Sequence, residues 1–132
     1  MKTNSGAVFA TMVGVSVSIG AISGIAIRGQ QVKTPHGYVI AEADVTDPKA
    51  LQNYGEKIAE TLAPFNHRYI VSTSKIQALE GDPPKSRVVV IEFDSVQKAR
   101  EWYDSPVYAA IRPIRQMAAK SRIFIVEGVV PQ

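Results

Sequence analysis

RVVVIEFDSVQKAREWYDSPVY, residues 87–108, is the stretch of sequence that decides the fold. Its first part, Arg87–Phe93, contains four consecutive β-branched residues and predicts a strand that is covered on both faces. Asp94-Ser95 then favours the start of a short helix, which we expect to end near Asp104. Ser105-Pro106 repeats the pattern of a capping residue followed by proline and predicts a further helix. A strand and two helices therefore form the centre of the folded part.

The elements upstream follow from similar signals. The run YVIAEADV, Tyr38–Val45, predicts the first strand. Asp47-Pro48 predicts the start of a helix, whose apolar residues recur at helical spacing until it ends near Pro64. We expect the second strand over His67–Thr73, with a continuation over Ile76–Leu79 beyond a bend.

Downstream, the last helix is expected to cover Val107–Lys120, with a kink or break at Pro113, and the last strand to cover Arg122–Val126. The order β-α-β-β-α(α)-β is that of a ferredoxin-like α+β fold, a four-stranded antiparallel sheet with helices on one face. The other face is also expected to be apolar, and a single chain has nothing left to cover it. We therefore expect a homodimer that pairs these sheet faces.

The folded part also resembles a known family. The similarity extends from about Gly37 to Gly128, and its most specific part is the string from Val90 to Tyr108, which contains IEFDS and WYDSPVY. This pattern is similar to that of the domain-of-unknown-function family numbered 1330. The resemblance implies a dimeric α+β barrel, in the superfamily that includes cofactor-free monooxygenases of the antibiotic-biosynthesis type and muconolactone isomerases. It implies no particular activity.

The N-terminal segment, residues 1–27, has a different character. Residues 6–27 carry no charge and follow Lys2. A basic start, an apolar stretch and small residues at Gly24 and Ala26 are typical of a cleaved signal peptide, which predicts a periplasmic or secreted protein. The run is also long enough to span a bilayer, so an uncleaved membrane anchor is the alternative. The third possibility is that residues 1–27 form a cytosolic segment of unusual composition.

Charge divides the chain in nearly the same place. The sequence has 15 basic and 12 acidic residues, but residues 1–36 contain three of the basic ones and no acidic one. The remainder is therefore neutral, which argues against a nucleic-acid-binding surface. We expect residues 28–36 to form a flexible linker and residues 37–130 to form the dimeric α+β barrel domain.

Aromatic and hydroxyl side chains near the helix junction predict a ligand pocket. Trp102, Tyr103, Ser105 and Tyr108 surround this junction, and Tyr54 on the first helix is placed to face the same space. The alternative is that the aromatic residues fill the core and that Ser105 only caps a helix.

Three carboxylates, of Glu42, Glu92 and Glu127, lie on predicted strands that we expect to be neighbours. Crowded carboxylates raise one another's pKa and can supply general acid–base chemistry. The alternative is that each one pairs with a nearby arginine, such as Arg87, Arg115 or Arg122.

Arg115 is a candidate to bind a ligand carboxylate through two parallel hydrogen bonds. The alternative is a salt bridge from Arg115 to Glu92 or Asp104. Together with Tyr108, Arg115 and Glu92 are the candidate catalytic residues.

No metal site or cofactor is predicted, because the chain has no cysteine and only two histidines. The sequence favours a small exported homodimer that binds a small, partly apolar molecule between sheet and helices. The resemblance to the barrel superfamily adds cofactor-free monooxygenase- or isomerase-like chemistry on that molecule as a hypothesis, and whether the protein is an enzyme stays open. The rival hypothesis is a non-catalytic interaction or scaffold module held at or near the membrane, to which residues 6–27 would attach it if they are not cleaved.

Overall fold

The computed structural model describes Gly29 and residues 32–132. The predicted signal peptide or anchor, residues 1–27, lies outside the described residues. In chain order the elements are β1 (Gly37–Val45), α1 (Pro48–Leu62), β2 (His67–Thr73), β3 (Arg87–Phe93), α2 (Val96–Tyr103), α3 (Pro106–Ala118) and β4 (Ala119–Glu127). None of the helices in the described part is long and apolar enough to cross a membrane.

The four strands form one sheet in the order β2-β3-β1-β4, and every neighbouring pair is antiparallel. β1 therefore lies between β3 and β4, with Val39 opposite both Ile91 and Ile125. This order, with helices on one side only, is the ferredoxin-like α+β arrangement, and the prediction from the order of elements is confirmed.

The helices begin at the predicted capping residues. The side chain of Asp47 accepts a hydrogen bond from the backbone N–H of Ala50 at 3.0 Å at the start of α1. Ser95 and Ser105 cap α2 and α3 in the same way. Each cap satisfies one of the N–H groups that the first turn of a helix leaves without a partner, which fixes where the helix starts.

The end of α3 differs from the prediction. The helix continues through Pro113, which lies on its exposed side, where water can reach the Ala109 carbonyl that loses its partner. The helix ends at Ala118 instead of Lys120, and β4 begins at once, before the predicted Arg122. The reason is that residues 119–121 pair with residues 43–45 of β1, which favours an extended backbone there.

The second strand is shorter than predicted. β2 ends at Thr73, which pairs with Val88 near the start of β3. Since β3 provides no residues beyond Arg87 to pair with, Ile76–Leu79 has no strand partner and is irregular. The predicted continuation of β2 is therefore wrong, although its composition favours a strand.

The two faces of the sheet are different because side chains alternate along each strand. Odd-numbered residues of β1, β3 and β4 face the helices and contribute to the core, whose largest fully buried side chains are Trp102, Tyr108, Phe93 and Leu62. Even-numbered residues form the helix-free face, which consists of Tyr38, Ile40 and Glu42 of β1, Val88, Val90 and Glu92 of β3, and Arg122, Phe124 and Val126 of β4. Phe124 and Val126 on this face are 38% and 37% exposed.

Candidate functional site

A cavity of about 1000 Å³ lies between α1 and the odd-numbered face of the sheet. On the sheet side it is lined by short side chains of β1, including Ala41 and Ala43, and on the helix side by Leu51 and Ile58. Because two consecutive inward positions of β1 are alanines, the sheet cannot fill the space beneath α1. The sequence thus leaves a space here, while the other end of the sheet is filled by large aromatic residues.

A β-bulge shapes the side of the cavity that β2 forms. Tyr69 pairs with Ile91 whereas Val71 pairs with Val90, so the register shifts between them. As a result Tyr69 and Ser72, which are three residues apart, both line the cavity. Burial raises the pKa of the Tyr69 hydroxyl above its ordinary value, so this group is protonated at neutral pH.

Two tyrosine hydroxyls meet at the cavity. The oxygen of Tyr54 on α1 lies 3.1 Å from that of Tyr108 on α3, and the two side chains are 9% and 1% exposed. Burial, assisted by the neighbouring Tyr108, raises the pKa of the Tyr54 hydroxyl well above 10, although the positive charge of Arg115 opposes this shift. Tyr54 is therefore a hydrogen-bond donor at neutral pH and not a base.

Arg115 lines the same cavity and is only 8% exposed. Within residues 32–132 its buried Nε atom has no hydrogen-bond partner, and no acidic group lies within ion-pair distance of its guanidinium. The predicted alternative of a salt bridge to Glu92 or Asp104 is wrong, since Glu92 pairs with Arg68 and Asp104 pairs with Arg100. The cavity thus contains a buried cation whose charge is not balanced by the described residues.

Trp102 serves both the core and the cavity. It is 2% exposed, and its indole N–H donates to the hydroxyl of Thr61 at 3.0 Å. Its ring stacks on Phe93 and lies 4.2 Å from the ring of Tyr108, measured between centroids. One part of the side chain lines the cavity, so the two interpretations that the sequence left open for Trp102 are compatible.

Tyr103 and Ser105 are not among the residues that line the cavity. The hydroxyl of Ser105 donates to the Trp102 carbonyl at 2.7 Å and accepts from the backbone N–H of Tyr108 at 3.3 Å, which makes it a helix cap. The ring of Tyr103 lies 4.4 Å from the guanidinium carbon of Arg112. The structure therefore brings together only Tyr54, Trp102 and Tyr108 of the predicted pocket residues.

Glu92 lies on the helix-free face, on the other side of the sheet from the cavity. It accepts a hydrogen bond from the Tyr38 hydroxyl at 2.9 Å, and it lies 3.2 Å from His36 Nδ1 and 3.1 Å from Arg68. These partners, His36 foremost, hold the pKa of the Glu92 carboxyl below its ordinary value.

The structure does not bring the three carboxylates together. Glu42 accepts a hydrogen bond from Arg122 Nε at 2.9 Å, as the arginine-pairing alternative predicts. Glu92 pairs with Arg68 instead of the arginines that the sequence suggested, and Glu127 lies exposed at the end of β4. Two of the candidate catalytic residues, Tyr108 and Arg115, are thus separated from Glu92 by the sheet.

Sequence reasoning missed Ser121 on β4. Its hydroxyl is buried, lines the cavity and has no hydrogen-bond partner within residues 32–132. The alternation in SRIFI places Ser121 on the same face as Ile123 and Ile125, so the pattern could have identified it. It was missed because the predicted strand began one residue later, at Arg122.

The cavity is suited to hold an acceptor. Its inner polar groups include the hydroxyls of Tyr54, Tyr108 and Ser121 and the guanidinium of Arg115, all of which can donate hydrogen bonds. The residues that the structure describes contain no group of three or more His, Cys, Asp or Glu side chains that could hold a metal ion. The arrangement can therefore bind and orient a molecule that carries oxygen acceptors.

Comparison with known proteins places the chain in a family. It matches the family described as "Domain of unknown function (DUF1330)" over residues 36–129. The chain belongs to this family. The string that carried the resemblance in the sequence, Val90–Tyr108, lies inside the matched range, and that prediction is confirmed.

Solved structures share the fold of this DUF1330 chain. The RPA0582 protein of unknown function from Rhodopseudomonas palustris is 19% identical, with a TM-score of 0.58 over 74% of this chain and 85% of that one. A dimeric ferredoxin-like protein of unknown function from Thermobifida fusca is 15% identical, with a TM-score of 0.52 over 74% of this chain and 95% of that one. SnoaB, a cofactor-independent oxygenase from Streptomyces nogalater, is 13% identical, with a TM-score of 0.52 over 75% of this chain and 100% of that one. At these identities the likeness shows the fold alone. Comparison with curated proteins gives no match.

Proposed function

We propose that the chain binds a small, partly apolar molecule in the cavity between α1 and the sheet. The observation that carries this proposal is a space of about 1000 Å³ that the side chains of the described residues leave unfilled. Ligand sites typically have volumes of about 300–1,000 Å³, apolar linings and a few convergent polar groups. The rival hypothesis of a scaffold module predicts a filled interior, and the cavity supports ligand binding over that rival.

The test uses the only tryptophan of the chain, Trp102, because its side chain lines the cavity. We expect aromatic and quinone-like compounds to quench its fluorescence saturably and to raise the melting temperature of the full-length protein. Ala41→Leu, which adds three carbon atoms to the cavity, should abolish this response. Ala109→Leu adds the same atoms on the exposed side of α3, outside the lining, and should preserve it.

Two results would contradict this proposal. If no compound class stabilises the protein or quenches Trp102, the cavity does not function as a binding site. If compounds bind Ala41→Leu as tightly as the wild type, while circular dichroism shows both variants folded, they bind elsewhere.

We also propose that two copies pair through the helix-free face. Support comes from the apolar centre of this face, which includes Ile40, Val90 and Phe124 in register across three strands and is not covered by another element of the described chain. The Thermobifida fusca relative in fold is dimeric. Light scattering of the wild type should give twice the mass of one chain. The Val90→Lys variant should give the mass of a single chain. A monomeric wild type at micromolar concentration would refute the pairing.

Catalysis without a cofactor is the second candidate function. The fold of SnoaB, a cofactor-independent oxygenase, supports it. A cavity in which Arg115 can stabilise an ionised substrate and Tyr54 can donate a hydrogen bond to a substrate oxygen supports it as well. Oxygen consumption with hydroxylated polycyclic aromatic compounds that bind the cavity is the test. We expect Tyr54→Phe to slow oxygen consumption. If compounds bind the cavity but no oxygen is consumed, catalysis is refuted and only the binding function stands.

We propose, finally, that residues 1–27 direct export and that the chain is cleaved after Ala26. The charge-free run behind Lys2 supports this. When the full-length sequence is expressed in a bacterial host, the protein should accumulate in the periplasm with Ile27 at its N-terminus. An uncleaved chain in the membrane fraction would support the anchor alternative instead.

A further inference from the structure

We propose that the ligand of the cavity carries a carboxylate and that Arg115 binds it. This inference rests on the proposed function, since it assigns a chemical class to the molecule in the cavity. Charge and hydrogen-bond donors among the residues that line the site both lack partners within the described chain.

The charge of Arg115 has no counterpart. The side chain is more than nine-tenths buried, and a buried ion is costly unless an opposite charge compensates it. No acidic residue within 32–132 forms an ion pair with it, and residues 1–31 contain no aspartate or glutamate. The acidic residue of the lining, Glu56, is exposed on α1 and accepts a hydrogen bond from Gln52.

Arg112, one turn earlier on α3, shows what a structural arginine looks like in this fold. It donates to the Tyr103 carbonyl at 2.7 Å, and its guanidinium lies over the rings of Tyr103 and Tyr108. Arg112 Nε is also buried without a partner, but the carbonyl and the two rings hold the rest of its guanidinium, and Arg115 has no such contacts within the described chain. Its position is therefore explained by something that the cavity holds.

The hydroxyl groups point to the same conclusion. Tyr54 and Tyr108 share one hydrogen bond, so one of their two O–H groups donates to the other and the second has no acceptor among the described residues. Ser121 Oγ is buried without a partner. Arg115 Nε–H, one tyrosine O–H and the Ser121 O–H are thus donors without an acceptor among the described residues, and acceptor oxygens of a bound molecule would satisfy them.

A carboxylate meets both requirements. It carries one negative charge and two acceptor oxygens in a plane that matches the guanidinium fork. The remaining lining is formed largely by apolar side chains such as Leu51, Ile58 and Val89, which accommodate a hydrocarbon body. The structure thus favours a small aromatic or aliphatic acid over a neutral molecule of the same shape.

The test compares two probes of equal size, 2-naphthoate and the neutral 2-naphthamide, by isothermal titration calorimetry with the full chain. We expect the wild type to prefer the carboxylate by about tenfold or more, as a charge-assisted contact predicts. Arg115→Met should bind both probes equally, because it removes the charge and keeps most of the volume. Arg112→Met is the matched control on the same helix and should keep the preference.

The outcomes separate this inference from the proposed function. If both probes bind the wild type equally, the cavity binds ligands but the assignment of Arg115 is overturned. If neither binds, the proposed function fails and this inference with it. If Arg115→Met does not fold, Arg115→Lys decides, because a point charge without the planar fork should weaken the preference, and an unchanged preference would refute the role of Arg115.

Discussion

Replacing glycine by alanine at Gly55 and at Gly37 should change stability in opposite directions. Gly55 lies in the interior of α1, and a Cβ atom built on it meets no atom within 4 Å. Alanine there restricts the unfolded chain and suits the helix, so the free energy of unfolding should rise by about 0.5–1 kcal/mol.

Gly37, the first residue of β1, has no such space. A Cβ atom would lie 2.5 Å from the carbonyl oxygen of Ser95 and 2.5 Å from the nitrogen of Val96. Both are backbone atoms at the start of α2, so no side-chain rotation relieves the contact. To place the Cβ atom at an ordinary separation of at least 3.4 Å from these two atoms, α2 has to move away from β1 by about 1 Å. β1 cannot move instead, because β3 and β4 hold it on both sides. Overpacking of this kind costs about 1–3 kcal/mol, and the rigid partners place Gly37→Ala at the upper end.

Urea unfolding of the full chain, followed by circular dichroism, measures both variants against the wild type. The two substitutions should differ by about 3.5–4 kcal/mol in unfolding free energy at an unchanged denaturant slope. A Gly37→Ala variant as stable as the wild type would show that β1 and α2 are not in rigid contact. A destabilised Gly55→Ala variant would show that α1 lacks the space described.

Three further predictions concern single side chains. Thr61→Val leaves the buried indole N–H of Trp102 without an acceptor. Chemical denaturation should show that the unfolding free energy is lower by about 1–3 kcal/mol. A decrease of less than about 0.3 kcal/mol would contradict that hydrogen bond. Arg115→Met removes a buried cation and should raise the stability of the ligand-free protein by about 1 kcal/mol or more, and a lower melting temperature would oppose this reasoning. Because the pKa of Glu92 is lowered in the folded state, the stability it contributes is present above its ordinary value of 4.5 and is lost as the pH falls below that value. In the Glu92→Gln variant the free energy of unfolding should therefore fall less steeply between about pH 5 and pH 3 than in the wild type. If the variant and the wild type lose stability equally over this range, the contribution of Glu92 is refuted.

The order of elements could be predicted because each local signal agrees with the tertiary structure. The β-branched run of Arg87–Phe93 forms a central strand, and Asp47, Ser95 and Ser105 cap the helices that follow them. Element ends were predicted less well, since they depend on pairing. Ala119 is extended because β1 has a residue opposite it, which no property of the local sequence indicates.

The site was predicted only in part, for a similar reason. The aromatic cluster near Trp102 is visible in the sequence, but the cavity depends on the absence of side-chain volume at Ala41 and Ala43, which appear in the sequence as ordinary strand residues. The sequence contains carboxylates that could pair with Arg115, and only the assembled fold shows that none of those in the described residues does. One of them, Glu92, lies on the other face of the sheet.

The alternation of side chains along β1 means that two surfaces are specified by interleaved positions of one strand. Val39, Ala41 and Ala43 line the cavity, while Tyr38, Ile40 and Glu42 belong to the helix-free face. Substitutions at odd positions can alter what the cavity accepts without touching the other surface, and the converse also holds. Chains that descend from one ancestor can therefore come to bind different ligands in the cavity while they keep the same helix-free face. A single-residue deletion within β1 would exchange the two sets over the part of the strand on one side of the deletion.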